Sequence, residues 1–207
     1  MYVPSWFREE RLAAQHALMR SYPFAALVSE VDGAPFASHV PFSLDPVRGP
    51  CGTLRAHVAR SNPHWRSFDA GREALVIFQG PHAYVSPTWY TDRPAVPTWN
   101  YAAVHAYGIP RLLDGEPLGT LLRELVAEFE APDSGLDLAD EYVEQMARGV
   151  VGFEIEIGRI EGKVKMGQNR SSADRHAVVR ALAASERNGD RELAEWMRAN
   201  LPEAEGR

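Results

Sequence analysis

The alternation of apolar and polar positions indicates a chain dominated by strands, with helical segments between them. Runs that alternate in polarity, or are rich in β-branched and aromatic residues, predict strands. They lie at 24–29, 35–44, 52–58, 73–79, 83–86, 100–113 and 150–157. Segments in which apolar residues recur every three or four positions predict helices. These lie at 7–21, 63–68, 116–130, 137–148, 172–184 and 190–200.

Glycine and proline mark the expected boundaries between these elements. The Asp-Gly pair at 32–33 is a strong hairpin signal, and the Gly-Pro pair at 80–81 predicts a second turn. Pro41 predicts that its strand lies at a sheet edge or contains a bulge, and Pro110 predicts a break. Segment 87–98 is rich in proline and lacks periodicity, which predicts an ordered or functional loop.

The order of these elements distinguishes between fold classes. Six or seven strands are joined mostly by short turns, with helices inserted between some of them, rather than alternating regularly with helices. This order predicts an antiparallel β-barrel or curved sheet with peripheral helices, an α+β protein. In the strand at 150–157, Glu154 and Glu156 are expected on the solvent face.

Composition and charge narrow the classes of protein. Of the 207 residues, 45% are hydrophobic and 24% charged, as in an ordinary soluble globule. The sequence has neither an apolar run of membrane-spanning length nor a recognisable secretory signal, and Cys51 is its single cysteine. We therefore expect a cytoplasmic protein without a membrane partner. The net charge of −6 disfavours a general nucleic-acid binder, because neutralising phosphates requires a basic surface.

The strongest candidate for anion binding is the junction between the predicted strand at 52–58 and the helix start at 61–63. Free backbone N–H groups at the helix start, together with two guanidinium groups, could hold a phosphate there. The alternative is a capped surface helix with solvated arginines. The candidate residues are Arg55, His57, Arg60, Ser61 and Asn62.

Two other segments combine residue types that suit ligands. Two tryptophans and three tyrosines lie within 84–101, where they could stack on a planar ligand with Ser86, Thr98 and Asn100 at its edge. A core aromatic cluster or a dimer contact is the alternative. Segment 163–170 is locally basic and could be a second anion site or a solvated loop.

The sequence lacks the motifs of common catalytic and metal centres. It contains no G-x-S-x-G, H-E-x-x-H, Walker or Rossmann glycine pattern. The spacings between Cys51, His57 and His64 match no compact zinc pattern. Any catalysis is therefore expected to depend on a bound cofactor that supplies the reactive atom.

Four motifs carry a resemblance to a known family: LRAH at 54–57, GPHAYVSP at 80–87, VPTWNY at 96–101 and KMGQNR at 165–170. Over about residues 2–180 the chain resembles the PaiB family of FMN-binding negative transcriptional regulators. The resemblance implies an FMN-binding split barrel, mostly antiparallel and similar to pyridoxamine phosphate oxidases, that acts as a homodimer. We expect the barrel domain at 1–170 and a C-terminal helical extension at 171–207.

The resemblance also implies which residues contact FMN. The phosphate would lie near the strand end and following helix, at Arg55, His57, Arg60, Ser61 and Asn62. The flavin ring would lie near Ser38, His39 and Gln79. The ring would be capped by Thr98, Trp99, Asn100 and Tyr101.

Three functions remain open at this point. The first is a regulator in which flavin state or occupancy controls binding to DNA or a partner, although no helix-turn-helix with a basic face is evident in the sequence. Its possible DNA contact is segment 159–187, which has seven basic and three acidic residues. The second is an FMN-dependent oxidoreductase that takes hydride from a nicotinamide. The third is a haem protein with His39, His57 or His82 as axial ligand.

Overall fold

The structure is a computed structural model, and it describes residues 1–131, 134, 136 and 139–200. Its ten described strands are β1 (Arg8–Glu9), β2 (Phe24–Val31), β3 (Ala34–Pro41), β4 (Ser43–Asp45), β5 (Thr53–Ala59), β6 (Ala74–Val85), β7 (Thr98–Gly108), β8 (Pro110–Leu113), β9 (Val150–Glu156) and β10 (Arg159–Lys165). The α-helices are α1 (Leu12–Ser21), α2 (Glu116–Phe129), α3 (Asp140–Gly149), α4 (Ser172–Ala183) and α5 (Asn188–Asn200). Short 3₁₀ helices lie at Ser5–Phe7, Pro63–Ala70 and Pro87–Trp89.

The strands form two sheets. The six-stranded sheet has the order β1-β10-β7-β6-β2-β3, and the four-stranded sheet has the order β4-β5-β9-β8. Strand pairs β1–β10, β2–β3, β2–β6, β4–β5, β5–β9 and β8–β9 are antiparallel. Antiparallel sheets with several helices confirm the predicted fold class. None of the described helices is long and apolar enough to cross a membrane.

The chain divides into two compact units. Unit 1 comprises Met1–Arg11, Gln79–Val104 and Glu161–Arg207, and unit 2 comprises Leu12–Phe78 and His105–Ile160.

Unit 2 is built on an aromatic core. The ring of Phe42 lies 5.9 Å from that of Phe78 and 6.0 Å from that of Phe153, and Phe68 lies 4.7 Å from Phe153, measured between centroids. All four side chains are almost completely buried. Because Phe68 belongs to the 3₁₀ helix that follows β5, its burial fixes that helix against the sheet.

Helix α2 packs closely on β9. Its buried leucines recur at helical spacing, and Pro117 occupies the first turn, where its missing N–H costs nothing. A Cβ built at Gly152 would lie 2.6 Å from Leu118 Cδ1 and 3.3 Å from Leu121 Cδ2. Glycine at position 152 therefore allows the helix to approach this strand.

In unit 1, helices α4 and α5 pack together through buried apolar residues such as Leu182, Leu193 and Met197. The buried carboxylate of Asp174, in the first turn of α4, anchors the loop after Trp89. Its Oδ1 accepts hydrogen bonds from Thr91 N at 2.7 Å, Thr91 Oγ1 at 2.8 Å and Asp92 N at 3.1 Å.

Several boundaries match the sequence prediction. The hairpin turns at Asp32 and Gly33, whose φ angles of 52° and 80° are those that an Asp-Gly turn requires. Pro41 ends β3, which is the edge strand of its sheet, and the break near Pro110 falls at Ile109. The predicted helix at 137–148 is observed at Asp140–Gly149; residues 137 and 138 lie outside the described residues.

Two predicted boundaries are wrong. The first helix begins at Leu12 rather than at residue 7, because Arg8 and Glu9 pair with Lys163 and Gly162 as strand β1. The Gly-Pro pair at 80–81 makes no turn, and β6 runs through it. Both residues are buried in succession, so the alternation of buried and exposed positions slips by one step. A slip of this kind is typical of a local strand irregularity and not of a chain reversal.

Two features of the last strands also differ from expectation. Glu154 is buried rather than exposed, because Arg48 reaches it with two hydrogen bonds of 2.6 and 2.7 Å. Strand β10 was not predicted as a separate strand. It follows Gly158, and its alternation is blurred by Glu161 and Gly162.

Candidate functional site

The two faces of strand β5 differ in polarity and burial. Leu54, Ala56 and Val58 are buried on one face, whereas Arg55 and His57 are half-buried on the other. The antiparallel register places Arg55 opposite Glu154 of β9 and His57 opposite Gly152. Directly opposed residues share a face, so Arg55, His57 and Glu154 lie on the face of this sheet against which α2 packs.

Arg55 and His57 each have a buried side-chain nitrogen without a hydrogen-bond partner in the described part of the chain. Arg55 Nη1 forms an ion pair of 2.7 Å with Glu124 Oε2 of α2, but its Nε is buried without a hydrogen-bond partner. Nδ1 of His57 is likewise buried and unpartnered. Burial lowers the pKa of His57, so its imidazole is neutral near pH 7. Buried polar atoms without partners are costly, and their presence points to a missing ligand or water.

The turn after β5 is held by the side chain of Asn62. Its backbone N donates to Ala59 O at 2.9 Å, and its Oδ1 accepts from His64 N at 3.0 Å. Its Nδ2 donates to Ser38 Oγ of β3 at 2.9 Å. Asn62 is thus the N-cap of the 3₁₀ helix that Pro63 begins, as the sequence predicts. The cap ties the turn to a neighbouring strand and restricts its motion.

His64 lies at the centre of a hydroxyl network that the sequence did not indicate. Its Nε2 lies 2.8 Å from Ser29 Oγ, its Nδ1 lies 2.9 Å from Ser38 Oγ, and Ser29 Oγ lies 3.0 Å from Ser67 Oγ. Ser67 Oγ donates to the carbonyl oxygen of His64 at 2.8 Å. The serines are scattered along the chain, and His64 appeared in the sequence only as a disfavoured metal ligand.

The donors in this network can be ordered. A hydroxyl has one hydrogen, and Ser67 donates its own to His64 O. Ser29 must therefore donate to Ser67, which leaves His64 Nε2–H as the donor to Ser29. His64 is then the neutral tautomer that carries its hydrogen on Nε2, and its Nδ1 accepts a hydrogen bond from Ser38 Oγ. Burial lowers the pKa of His64 to about 4, which agrees with a neutral ring.

Arg60 is partly committed to the fold. Its Nε donates to Arg148 O at 2.9 Å and its Nη2 to Val150 O at 2.8 Å, at the point where α3 passes into β9. Its backbone N donates to Gly149 O at 2.9 Å. The described residues form no hydrogen bond to Nη1, which remains open to a ligand. Ser61, the next residue, is exposed.

The remaining predicted contacts of unit 2 lie on β3. Ser38 is buried and belongs to the hydroxyl network, whereas its neighbour His39 is exposed and stacks at 6.2 Å on the ring of Phe24. The structure therefore brings Ser38 and Asn62 together by a direct hydrogen bond. Alternation along the strand points His39 to the opposite face.

The predicted contacts of unit 1 have varied surroundings. Gln79 is exposed, and its Nε2 lies 3.3 Å from His82 Nδ1. Thr98 Oγ1 accepts a hydrogen bond from Lys165 Nζ. Asn100 is buried, with its Nδ2 at 3.8 Å from the sulfur of Met197. The ring of Tyr101 faces the ammonium of Lys163 at 5.1 Å.

Trp99 belongs to an exposed aromatic pair. Its ring is 54% exposed and meets that of Tyr84, which is 38% exposed, edge to face at 6.1 Å. Tyr90, from the same aromatic segment, is by contrast buried: it is 5% exposed, and the guanidinium carbon of Arg170 lies 4.5 Å from its ring centroid.

Comparison with known sequences gives consistent matches. The family model described as "Putative FMN-binding domain" matches residues 1–159. The chain is 33% identical over 205 residues to "Protease synthase and sporulation protein PAI 2" of Bacillus subtilis (strain 168), covering 97% of this chain and 98% of that protein. It is 31% identical over 223 residues to "Uncharacterized protein AN0679" of Emericella nidulans, covering 86% and 89%.

Two solved structures share the fold at low sequence identity. The flavocytochrome Anf3 from Azotobacter vinelandii matches with a TM-score of 0.63 and 14% identity, covering 80% of this chain and 73% of that chain. The FAD and haem binding protein from Mycobacterium smegmatis matches with a TM-score of 0.59 and 16% identity, covering 81% and 77%.

Proposed function

Because this chain belongs to the family of FMN-binding domains matched over residues 1–159, we propose that it binds FMN with the phosphate at β5 and the turn that follows it. The single observation that carries this placement is the pair of buried nitrogens without hydrogen-bond partners on one strand face, Arg55 Nε and His57 Nδ1. Both precede a turn whose conformation is fixed by the Asn62 cap.

The residues present fit a phosphate group. Arg60 offers the Nη1 nitrogen while its other donors hold it in place through backbone carbonyls. Ser61 adds an exposed hydroxyl and backbone N–H. The charge of Arg55 is offset by Glu124, so Arg60 is expected to supply most of the electrostatic attraction.

Bound FMN would supply one- and two-electron redox chemistry. From the family resemblance, we propose His39 and Gln79 as ring contacts, with a cap formed by Thr98, Trp99, Asn100 and Tyr101. Ser38 points to the other face of β3 from His39 and its hydroxyl is bonded to Asn62 and His64, so we propose that it acts on the flavin site through Asn62. Neutral His57, in the tautomer that carries its hydrogen on Nδ1, would donate a hydrogen bond without adding charge, and Asn62 would hold the turn rigid.

Regulation is a finer proposal than FMN binding. The name of the Bacillus subtilis relative associates that protein with protease synthesis and sporulation, and the family resemblance suggests that flavin state or occupancy controls a partner or DNA. Flavin-dependent electron transfer is the second candidate; it is supported by the names of the two structural matches, which also mention haem or a cytochrome. An absorption spectrum separates these cofactors, since flavin and haem bands differ.

We also propose a homodimer. Tyr84 and Trp99 form an exposed aromatic pair, and Val96 is 66% exposed in the same unit. Aromatic residues are enriched at protein interfaces. Light scattering should give a dimer mass for the wild type and a smaller average mass for Trp99→Glu. A wild-type mass that stays at 23.0 kDa at micromolar concentration would refute the proposal.

The cofactor proposal is tested by titrating flavin-free protein with FMN and with riboflavin, following flavin fluorescence. Arg60→Ala should weaken FMN about ten- to a hundredfold, because one charge-assisted contact contributes about 1.5–3 kcal/mol. Riboflavin has no phosphate, so its affinity should change little. Arg66→Ala is the matched control, since Arg66 is an exposed arginine in the same turn region.

The two ligands together distinguish the possible roles of Arg60. Equal losses for FMN and riboflavin would mean that Arg60 acts only through its carbonyl contacts at Arg148 and Val150. Unchanged affinity for both would remove Arg60 from the site. No saturable binding of FMN by the wild type would refute the proposed function itself.

A further inference from the structure

Unit 1 contains a polar cavity whose lining includes none of the residues proposed to hold the FMN phosphate. Its volume is about 200 Å³. It includes two cationic side chains but no acidic one. Its polar lining is Tyr90, Thr98, Asn100, Lys165, Asn169 and Arg170.

Lys165 has hydrogen-bonding capacity to spare. It is half-buried, and its ammonium donates one hydrogen bond to Thr98 Oγ1. Two N–H groups remain, because an ammonium has three. Within the described ranges, no carboxylate lies within ion-pair distance of it. Burial lowers the pKa of Lys165, and repulsion from Lys163 lowers it further. A bound anion would stabilise the charged form.

Arg170 is held in position by an aromatic ring. Its guanidinium carbon lies 4.5 Å from the centroid of Tyr90, a cation–π arrangement that orients the planar group. The charge of Asp174 acts on Arg170, but no ion pair joins the two side chains: Oδ1 of Asp174 accepts three hydrogen bonds from Thr91 and Asp92, and its Oδ2 is buried without a hydrogen-bond partner in the described residues. The described part of unit 1 thus contains no carboxylate in an ion pair with Arg170.

We propose that this cavity binds a small molecule through one oxyanionic group, a carboxylate or a phosphate. Lys165 would contribute a point charge, Arg170 a fork of planar donors, and Asn169 an amide. The apolar edge formed by Phe7 and Val96 suits a short organic body. The volume lies below the roughly 300–1,000 Å³ of pockets for drug-sized ligands, so the cavity itself holds no more than a small molecule or one end of a larger one.

The test uses flavin-free full-length protein at constant ionic strength. Binding of benzoate, benzamide and inorganic phosphate is measured by ligand-observed NMR titration. Benzoate and phosphate should bind saturably. Benzamide has the same body as benzoate without the charge, so it should bind at least tenfold more weakly.

Variants assign the binding to this cavity. Lys165→Gln and Arg170→Gln should each weaken benzoate about tenfold or more, the loss expected for one charge-assisted contact. Lys165→Arg keeps the charge and should retain binding. Arg198→Gln removes the same charge from an exposed position of α5 that does not line the cavity, and should bind as the wild type does. Circular dichroism verifies that each variant is folded.

Three results would overturn the inference. The first is equal affinity for benzoate and benzamide, and the second is glutamine variants that are folded and bind benzoate normally. The third is displacement of phosphate by FMN but not by riboflavin, which would assign the cavity to the flavin phosphate. Thr98 and Asn100 make this competition necessary, because both are also proposed flavin contacts. Loss of FMN binding in Arg60→Ala leaves the inference unaffected, so the two proposals fail separately.

Discussion

Protonation of His64 should couple the stability of unit 2 to pH. The side chain has no exposed surface, and the rings of Phe36 and Phe68 lie 5.0 and 5.4 Å from it. Both ring nitrogens already have partners in a network with a single order of donors. A proton added at Nδ1 would face the hydroxyl hydrogen of Ser38, so protonation requires Ser38 to reorient in addition to the burial of a charge.

The magnitude follows from the two pKa values of His64. The pKa is 6.5 in the unfolded chain and about 4 in the folded one, lowered by burial. Between these values the unfolded chain binds more protons, so stability falls as the pH decreases from 6.5 and levels off below about 4. A difference of about 2.5 pH units is equivalent to at most about 3.4 kcal/mol in the free energy of unfolding.

Urea denaturation at a series of pH values from 7 to 4 measures this dependence. Other groups titrate in the same range, so the quantity of interest is the difference between the wild type and His64→Gln. The wild type should lose up to about 3 kcal/mol more than the variant between pH 7 and 4. His82→Gln, at an exposed position, is the matched control for removing a histidine. Parallel curves for wild type and His64→Gln would refute the buried neutral imidazole and the network built on it.

Close packing and surface charge give two further predictions. Gly108→Ala should destabilise the protein by about 1–3 kcal/mol in urea denaturation, because the new Cβ would lie 2.2 Å from Glu156 O. Gly149→Ala is the control: its Cβ would meet nothing within 4 Å, so this variant should be neutral or stabilising. Any DNA binding should show a shallow dependence of log affinity on log salt concentration, with a slope of about −2 to −3 in a salt titration. Of the seven basic residues in segment 159–187, Lys163 is buried and three are exposed, namely Arg159, Arg180 and Arg187. A slope near −8 would contradict this.

Local patterns were sufficient for most of the fold. The Asp-Gly hairpin, the Asn62 cap and the leucine spacing of α2 are set by residues close together in sequence, and each is found where it was predicted. Strand β1 depends instead on its pairing with residues more than 150 positions away, so local polarity could not reveal it. Glycine and proline usually form turns, but the Gly-Pro pair at 80–81 lies inside the long strand β6, which is held between two neighbouring strands of its sheet.

The site was predictable in type but not in arrangement. Sequence spacing identified Arg60 and Asn62 as neighbours at a helix start, which the structure reproduces. It could not foresee that two Arg60 donors are occupied by carbonyls near residue 150, or that Glu124 pairs with Arg55. These partners belong to helices and strands that are distant in sequence. The contacts of a long, flexible arginine side chain are therefore determined only once the chain has folded.

The one-way order of hydroxyl donors around His64 has an evolutionary consequence. Every hydrogen from Asn62 to Ser67 has one acceptor, so removing any single hydroxyl leaves a buried atom without its partner. Threonine keeps the hydroxyl, whereas alanine at one position alone does not. Positions 29, 38, 64 and 67 are therefore expected to change together among relatives, as a set that is either polar throughout or replaced throughout by apolar residues.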